Sequence, residues 1–226
     1  MKVISLISGG PDSILVADKL LSEGNEVLLL FVAHNQNPMT KEREAAEYFV
    51  DLFYDRYPHK VEYLEQIVDL KGTKPVESAW GRTLLLLGCA MAYNYSQRDM
   101  YYDAIAFGGH QGDKGPDVRP ENQEAFAKVV EVSSKGTMQL LYPIADLDLE
   151  HIGIEFAARN LPLHKTYNCY WATPCGYRSP NDNYRCQGCR RKVVSMRAAG
   201  YSPKELLLPN TQTITFQSPL AEKVDY

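Results

Sequence analysis

The chain has 226 residues, a formal net charge of −4, 45% hydrophobic residues and 23% charged ones. Those proportions describe an ordinary soluble globular protein, long enough for one domain or one domain with a small attachment. The negative balance argues against general attraction to nucleic acid or to a membrane surface. The longest apolar runs, Val27 to Ala33 and Leu84 to Leu87, fall well short of a membrane span. No signal peptide is visible, so a cytoplasmic location is expected.

The first element is the run Val3 to Ile7, which has the continuous apolar pattern of a buried parallel strand. It breaks into Ser8-Gly9-Gly10-Pro11-Asp12-Ser13, and a helical pattern follows at once in Ile14, Leu15, Ala17, Leu20 and Leu21. A strand, a turn of small residues and a helix N-terminus make an anion site, because unpaired amides and the positive end of the helix dipole converge there. Gly9 and Gly10 allow close backbone approach to a phosphate. Ser8 and Ser13 can add hydroxyl donors, and Asp12 can cap the helix or help hold a metal ion. The loop lacks the Gly-Lys-Ser/Thr ending of a Walker loop and the third glycine of the dinucleotide fingerprint.

Glu23-Gly24-Asn25 supplies a C-cap and turn, and Val27 to Ala33 reads as a second buried strand. It ends in His34-Asn35-Gln36-Asn37-Pro38, polar residues at the rim where α/β sheets bind ligands. A helix is predicted over 40–54 with Thr40 as its cap, and a strand over Val61 to Val68. Residues 70–80 read as a loop. Gly81-Arg82 opens an apolar helix from Thr83 to about Tyr95, with Cys89 as core filler.

Ala104 to Phe107 is a short fourth strand, followed by a polar loop over 108–113 at the same rim. A helix over 121–132, a strand at Leu140 to Tyr142 and a helix over Leu149 to Ala158 complete the alternation. Strands alternating with helices imply an α/β fold, a doubly wound parallel sheet. Two units are expected, 1–160 as the sheet domain and 161–226 as a small lobe with its tail. In that tail Thr213 to Phe216 could form an edge strand.

Four of the five cysteines fall after residue 168, as Cys169-x5-Cys175-x10-Cys186-x2-Cys189. In a chain with no export signal such a cluster reads as metal rather than disulfides. Four thiolates make a closed tetrahedral shell suited to structural Zn2+. Buried free thiols and an iron–sulfur cluster are the alternatives.

Ser-Gly-Gly-x-Asp-Ser, Ser8 to Ser13 here, resembles the pyrophosphate loop of the PP-loop ATPases, which cleave ATP between the α and β phosphates. Joined to a C-terminal four-cysteine site, it resembles the 7-cyano-7-deazaguanine synthase family over roughly residues 3–200. Gly81-Arg82-Thr83 resembles that family's Gly-Arg-Asn segment. Asp113, Asp117, Arg119 and Phe126 resemble its substrate-side loop, and Thr166-Tyr167-Asn168-Cys169-Tyr170 its approach to the first zinc ligand. Pro174-Cys175-Gly176 and Cys186-x2-Cys189-x-Arg191 continue the pattern.

The resemblance implies a Rossmann-like PP-loop domain with a zinc lobe, and an ATP-dependent ligase. Its substrates would be 7-carboxy-7-deazaguanine and ammonia, its cofactors ATP, Mg2+ and Zn2+, and many members form homodimers. Ser8, Gly9, Gly10, Asp12 and Ser13 would hold pyrophosphate, with Asp12 near Mg2+. Arg82 would neutralise phosphate or carboxylate charge, with Asp12 and Arg82 as the catalytic pair. His110, Asp113, Asp117 and Arg119 would face the substrate, a solvated loop or a local ion pair being the bland alternative. Cys169, Cys175, Cys186 and Cys189 would bind zinc. His34 and His151 read as structural histidines.

Three departures from the family stand out: His34-Asn35-Gln36 in place of Tyr-Gly-Gln, a longer gap between Cys175 and Cys186, and Leu149 in place of a lysine expected to reach the phosphates. They motivate an amide synthase that stops at 7-amido-7-deazaguanine. A tRNA-modifying PP-loop ligase or thiolase, and a degenerate nucleotide-binding zinc scaffold, are the remaining alternatives.

Overall fold

The computed structural model describes residues 1–34, 36, 38–70, 81–97, 101–112, 119–170 and 186–202. Five strands form one parallel sheet: β1 (Lys2–Leu6), β2 (Glu26–Ala33), β3 (Val61–Ile67), β4 (Ala104–Ala106) and β5 (Gln139–Leu141), in the order β3-β2-β1-β4-β5. Chain order reverses direction across the sheet between β1 and β4. That switch point opens a crevice at the carboxyl ends of the strands, where α/β sheets bind their ligands. Both the doubly wound sheet and the five strand positions agree with the sequence pattern.

Among the described residues six helices cover the sheet: α1 (Pro11–Ser22), α2 (Met39–Arg56), α3 (Arg82–Ser96), α4 (Pro120–Ser133), α5 (Leu149–Ala158) and α6 (Gln187–Ala198). The alternation of β2 divides the core in two. Leu29, Phe31 and Ala33 face one cluster with Ile14, Phe49, Phe53, Phe156 and Met196, so α1, α2, α5 and α6 share that side. Leu28, Leu30 and Val32 face the other with Leu87, Ala90 and Val130, the side of α3 and α4. Burial on both faces explains why the central strands read as continuous apolar runs. Cys89 packs against the second cluster as core filler. No helix among the described residues is long and apolar enough to cross a membrane.

Three local expectations need correction. Pro11 presets the backbone for the first helical position, so α1 starts before Asp12; Gly10 is the N-cap, and no side chain caps it. Pro38 is itself the N-cap of α2, whose first turn closes from Glu42 N–H to Pro38 O at 2.9 Å, leaving Thr40 inside the helix. The sequence pattern places no helix at the Cys186-x2-Cys189 segment. That segment opens α6, with Cys186 as N-cap. The 213–216 strand expectation lies outside the described residues.

Asp18 ties the first face together. Its carboxylate is 1% exposed and accepts from Tyr57 Oη at 2.9 Å, Arg56 Nη1 at 3.2 Å and Arg159 Nη1 at 3.1 Å. Three helices thereby meet on one buried anion. Replacing it with alanine removes the acceptor shared by two guanidinium groups and a hydroxyl. Asp18→Ala should lower unfolding free energy by about 2 to 4 kcal/mol, read from urea denaturation at neutral pH.

Candidate functional site

The Ser8–Ser13 loop leaves the end of β1 at the switch point. Gly9 adopts φ +74°, and a Cβ there would sit 2.5 Å from Glu42 O and 2.9 Å from Ala46 N, so no other residue fits against α2. Ser13 Oγ staples the turn: it donates to Gly10 O at 3.0 Å and accepts from Ser8 N–H at 3.1 Å. Ser8 Oγ lies 3.3 Å from it. The loop is also held from outside, because Tyr167 N–H donates to Gly9 O at 2.8 Å. The amides of the first turn of α1 therefore present a fixed concave face.

That face forms the floor of a cavity of about 430 Å³, within the range of small-molecule sites. One wall comes from the end of β2 and from α2 and α3: Val32, His34, Gln36, Glu42, Arg82 and Leu86. Gln36 organises this wall, accepting from His34 N–H at 2.7 Å and donating to Glu42 Oε2 at 3.2 Å. Burial pushes the Glu42 carboxyl up and the His34 imidazole down, the positive charge of Arg82 adding to the lowering of His34. His34 is thus held neutral at physiological pH. Arg82 begins α3, and its Nε is buried without a hydrogen-bond partner.

The opposite wall combines Gly108, Tyr167, Asn168, Gln187, Gly188 and Arg191. Here Asp12, in the first turn of α1, meets His110 and Arg191. Its Oδ1 is 3.7 Å from His110 Nε2, its Oδ2 is 3.7 Å from Arg191 Nη2, and Oδ1 is buried with no hydrogen-bond partner. A partly buried carboxylate oxygen without a donor suits a hard cation such as Mg2+. His110 is fully buried, and its Nδ1 accepts from Gly112 N–H at 3.1 Å.

Three thiols converge beside this wall. The sulfurs of Cys169, Cys186 and Cys189 all lie within 4.8 Å of one another, and those of Cys186 and Cys169 are 3.9 Å apart. Tetrahedral zinc with Zn–S bonds of about 2.3 Å sets its sulfurs about 3.8 Å apart, whereas a disulfide needs about 2.05 Å. Cys189 N–H points at Cys186 Sγ at 3.5 Å, and the N-terminus of α6 directs its dipole at the cluster. The donor set fits a structural zinc ion. Gly188 permits the arrangement, since a Cβ there would fall 1.8 Å from Asn168 O.

Of the residues singled out in the sequence, Ser8, Gly10, Asp12, Ser13 and Arg82 line the cavity. His110 sits behind Asp12, and Arg119 is exposed at the N-cap of α4, away from the lining. Asp113, Asp117 and Cys175 lie outside the described residues. His34, Gln36, Glu42 and Arg191 join the lining from positions that the sequence did not mark as a site. A rim position after β2 hinted at the first two, Arg191 entered only as the end of the Cys186-x2-Cys189-x-Arg191 segment, and nothing local hinted at Glu42.

Known proteins match this chain closely. A relative in Saccharolobus solfataricus, a 7-cyano-7-deazaguanine synthase, is 31% identical over 88% of this chain, although the chain spans only 46% of that protein. Another of the same name in Gloeothece citriformis is 26% identical over 88% of this chain and 93% of its own length. The solved U34-tRNA thiolase NcsA from Methanococcus maripaludis, with its iron–sulfur cluster, shares 15% identity over 91% of this chain and 68% of its own, at a TM-score of 0.46. At that score the likeness bears on neither fold nor site. The model of the family "Queuosine biosynthesis protein QueC" matches residues 2–203, nearly the whole described structure. With the amide loop at the switch point and the thiol cluster beside it, the chain belongs to the QueC family.

Proposed function

We propose that this protein is an ATP-dependent carbon–nitrogen ligase that converts 7-carboxy-7-deazaguanine and ammonia to 7-cyano-7-deazaguanine. The observation that carries the reading is the cavity floored by the Ser8–Ser13 loop in a chain of the QueC family. A carboxylate is a poor electrophile until one oxygen becomes a leaving group. Attack of that oxygen on the α-phosphate of ATP breaks the bond to the β-phosphate, giving an acyl-adenylate and pyrophosphate. Ammonia then displaces AMP and loses a proton, giving the amide. A second ATP activates the amide oxygen in the same way, and loss of AMP and a proton leaves the nitrile.

The loop amides and the α1 dipole would receive the pyrophosphate, with Ser8, Gly9, Gly10 and Ser13 shaping the cradle. Asp12 would hold Mg2+, which supplies charge neutralisation for the phosphates. Arg82, with its unpartnered buried Nε, would stabilise charge that develops on the reacting phosphate or carboxylate. His110, Asp113, Asp117 and Arg119 would belong to the substrate side, His110 by bracing Asp12. Cys169, Cys186 and Cys189, with Cys175 as the fourth ligand, would hold zinc in a purely structural role.

Mass spectrometry of products from 7-carboxy-7-deazaguanine, ATP, Mg2+ and ammonium should show the nitrile with AMP. Accumulation of amide alone would mean an enzyme that stops halfway, and absence of AMP and pyrophosphate would sink the ligase reading. Arg82→Met should lower kcat about 100-fold in the same assay while leaving the far-UV spectrum unchanged. Metal analysis should find about one zinc per chain. Cys186→Ser should lose it, with a lower thermal midpoint and faster proteolysis around residue 186.

A further inference from the structure

Among the described residues two cationic side chains line the cavity, Arg82 and Arg191, and they serve different parts of it. Arg82 is the cation whose charge reaches His34 and Glu42, which places it on the β2 side. Arg191 stands on the far side, 3.7 Å from Asp12 Oδ2 and 2.8 Å from His110 Nε2. We propose that Arg191 is a nucleotide-binding residue, its guanidinium being the cation that meets phosphates seated on the Ser8–Ser13 loop. This assignment rests on the reading of the cavity as an ATP site.

Position is the first argument. Asp12 belongs to the first turn of α1, so a guanidinium beside it adjoins the amides where an anion is drawn in. Among the described residues no other helix end supplies a cation there: the first turn of α5 brings Leu149, Glu150 and His151, and that histidine already bonds Asp148 at 2.9 Å. The nature of the present contact is the second. A distance of 3.7 Å to Asp12 is a Coulombic approach rather than a bidentate pair, and it sets the guanidinium charge beside the carboxylate expected to hold Mg2+.

Rigidity is the third. With its side chain 19% exposed, Arg191 acts from a partly desolvated position where charge is felt strongly. Its carrier α6 starts at two of the clustered thiols. The next residue, Lys192, donates from Nζ to His164 O at 3.1 Å and Thr166 O at 2.5 Å. That clamps α6 to the segment whose Tyr167 N–H holds Gly9 O, so the guanidinium and the phosphate loop share one frame. Arginine suits the place because its fork matches two phosphate oxygens at once.

The test is equilibrium binding of Mg2+ with α,β-methylene-ATP to the full chain, by calorimetry, alongside steady-state kinetics. Arg191→Met should weaken binding about 10- to 100-fold and raise KM for ATP, with KM for 7-carboxy-7-deazaguanine, zinc content and thermal midpoint unchanged. Arg191→Lys should fall between the two. Arg190→Met, which removes the exposed neighbouring charge, should bind as the native chain does. Unchanged analogue binding in Arg191→Met overturns the assignment, as does an effect confined to KM for the deazapurine. Should the methionine variant fail to fold, Arg191→Lys decides alone: weaker binding at an unchanged thermal midpoint supports the assignment, and native affinity overturns it. A native chain that binds no analogue removes the ATP-site reading as well, whereas native binding with an indifferent Arg191 removes only this inference.

Discussion

The structure depends on the close contact at Gly9. With φ +74° and no Cβ, this residue lets the turn after β1 lie directly against the backbone of α2 at Glu42 and Ala46. Its carbonyl in turn accepts the Tyr167 amide. One position thus binds the anion loop to α2 on one side and to the segment leading into the thiol cluster on the other. A loop held at three places does not reorganise when a charged ligand arrives, which is the physical condition for electrostatic stabilisation of a transition state.

Around that contact, charge in the cavity is only partly compensated. Glu42 is pushed toward its neutral form by desolvation and hydrogen-bonded by Gln36, and His34 is held neutral. Asp12 faces a guanidinium and a histidine rather than a hydrogen-bond donor at close range. Away from the cavity, Asp18 satisfies its buried charge with two arginines and a tyrosine. Arg43 and Glu65 pair across from α2 to β3. Structural anions are thus fully partnered, while those lining the cavity keep capacity for a ligand or a metal ion.

The thiol cluster and the sheet are mechanically continuous. Cys169 is two residues from Tyr167, and Gly188 packs onto Asn168. Met196, Ala199 and Tyr201 on and after α6 are buried in the same core cluster as Ile14 and Phe156. The closing helix of the described chain is therefore a packing partner of the sheet as well as the carrier of two of the clustered thiols.

Much of the fold was legible because its signals are local. Apolar runs mark strands buried on both faces, and Ser8–Ser13 carries its turn chemistry in six consecutive residues. The cysteine spacing likewise marks a cluster of thiols without reference to the fold. Helix starts were misplaced at Asp12 and Thr40 because a preceding proline outweighs a capping side chain. α6 was overlooked since cysteine and arginine at its head mask a weak helical pattern. By itself the sequence determined the parallel α/β class, the anion loop and the thiol donors, since each rests on residue type and near-neighbour spacing. Only the tertiary structure decided that Glu42, His34 and Arg191 line one cavity, and that His110 is buried behind Asp12. Those juxtapositions join residues as much as 179 positions apart, Asp12 and Arg191, through packing of separate helices on a sheet, which no local pattern encodes.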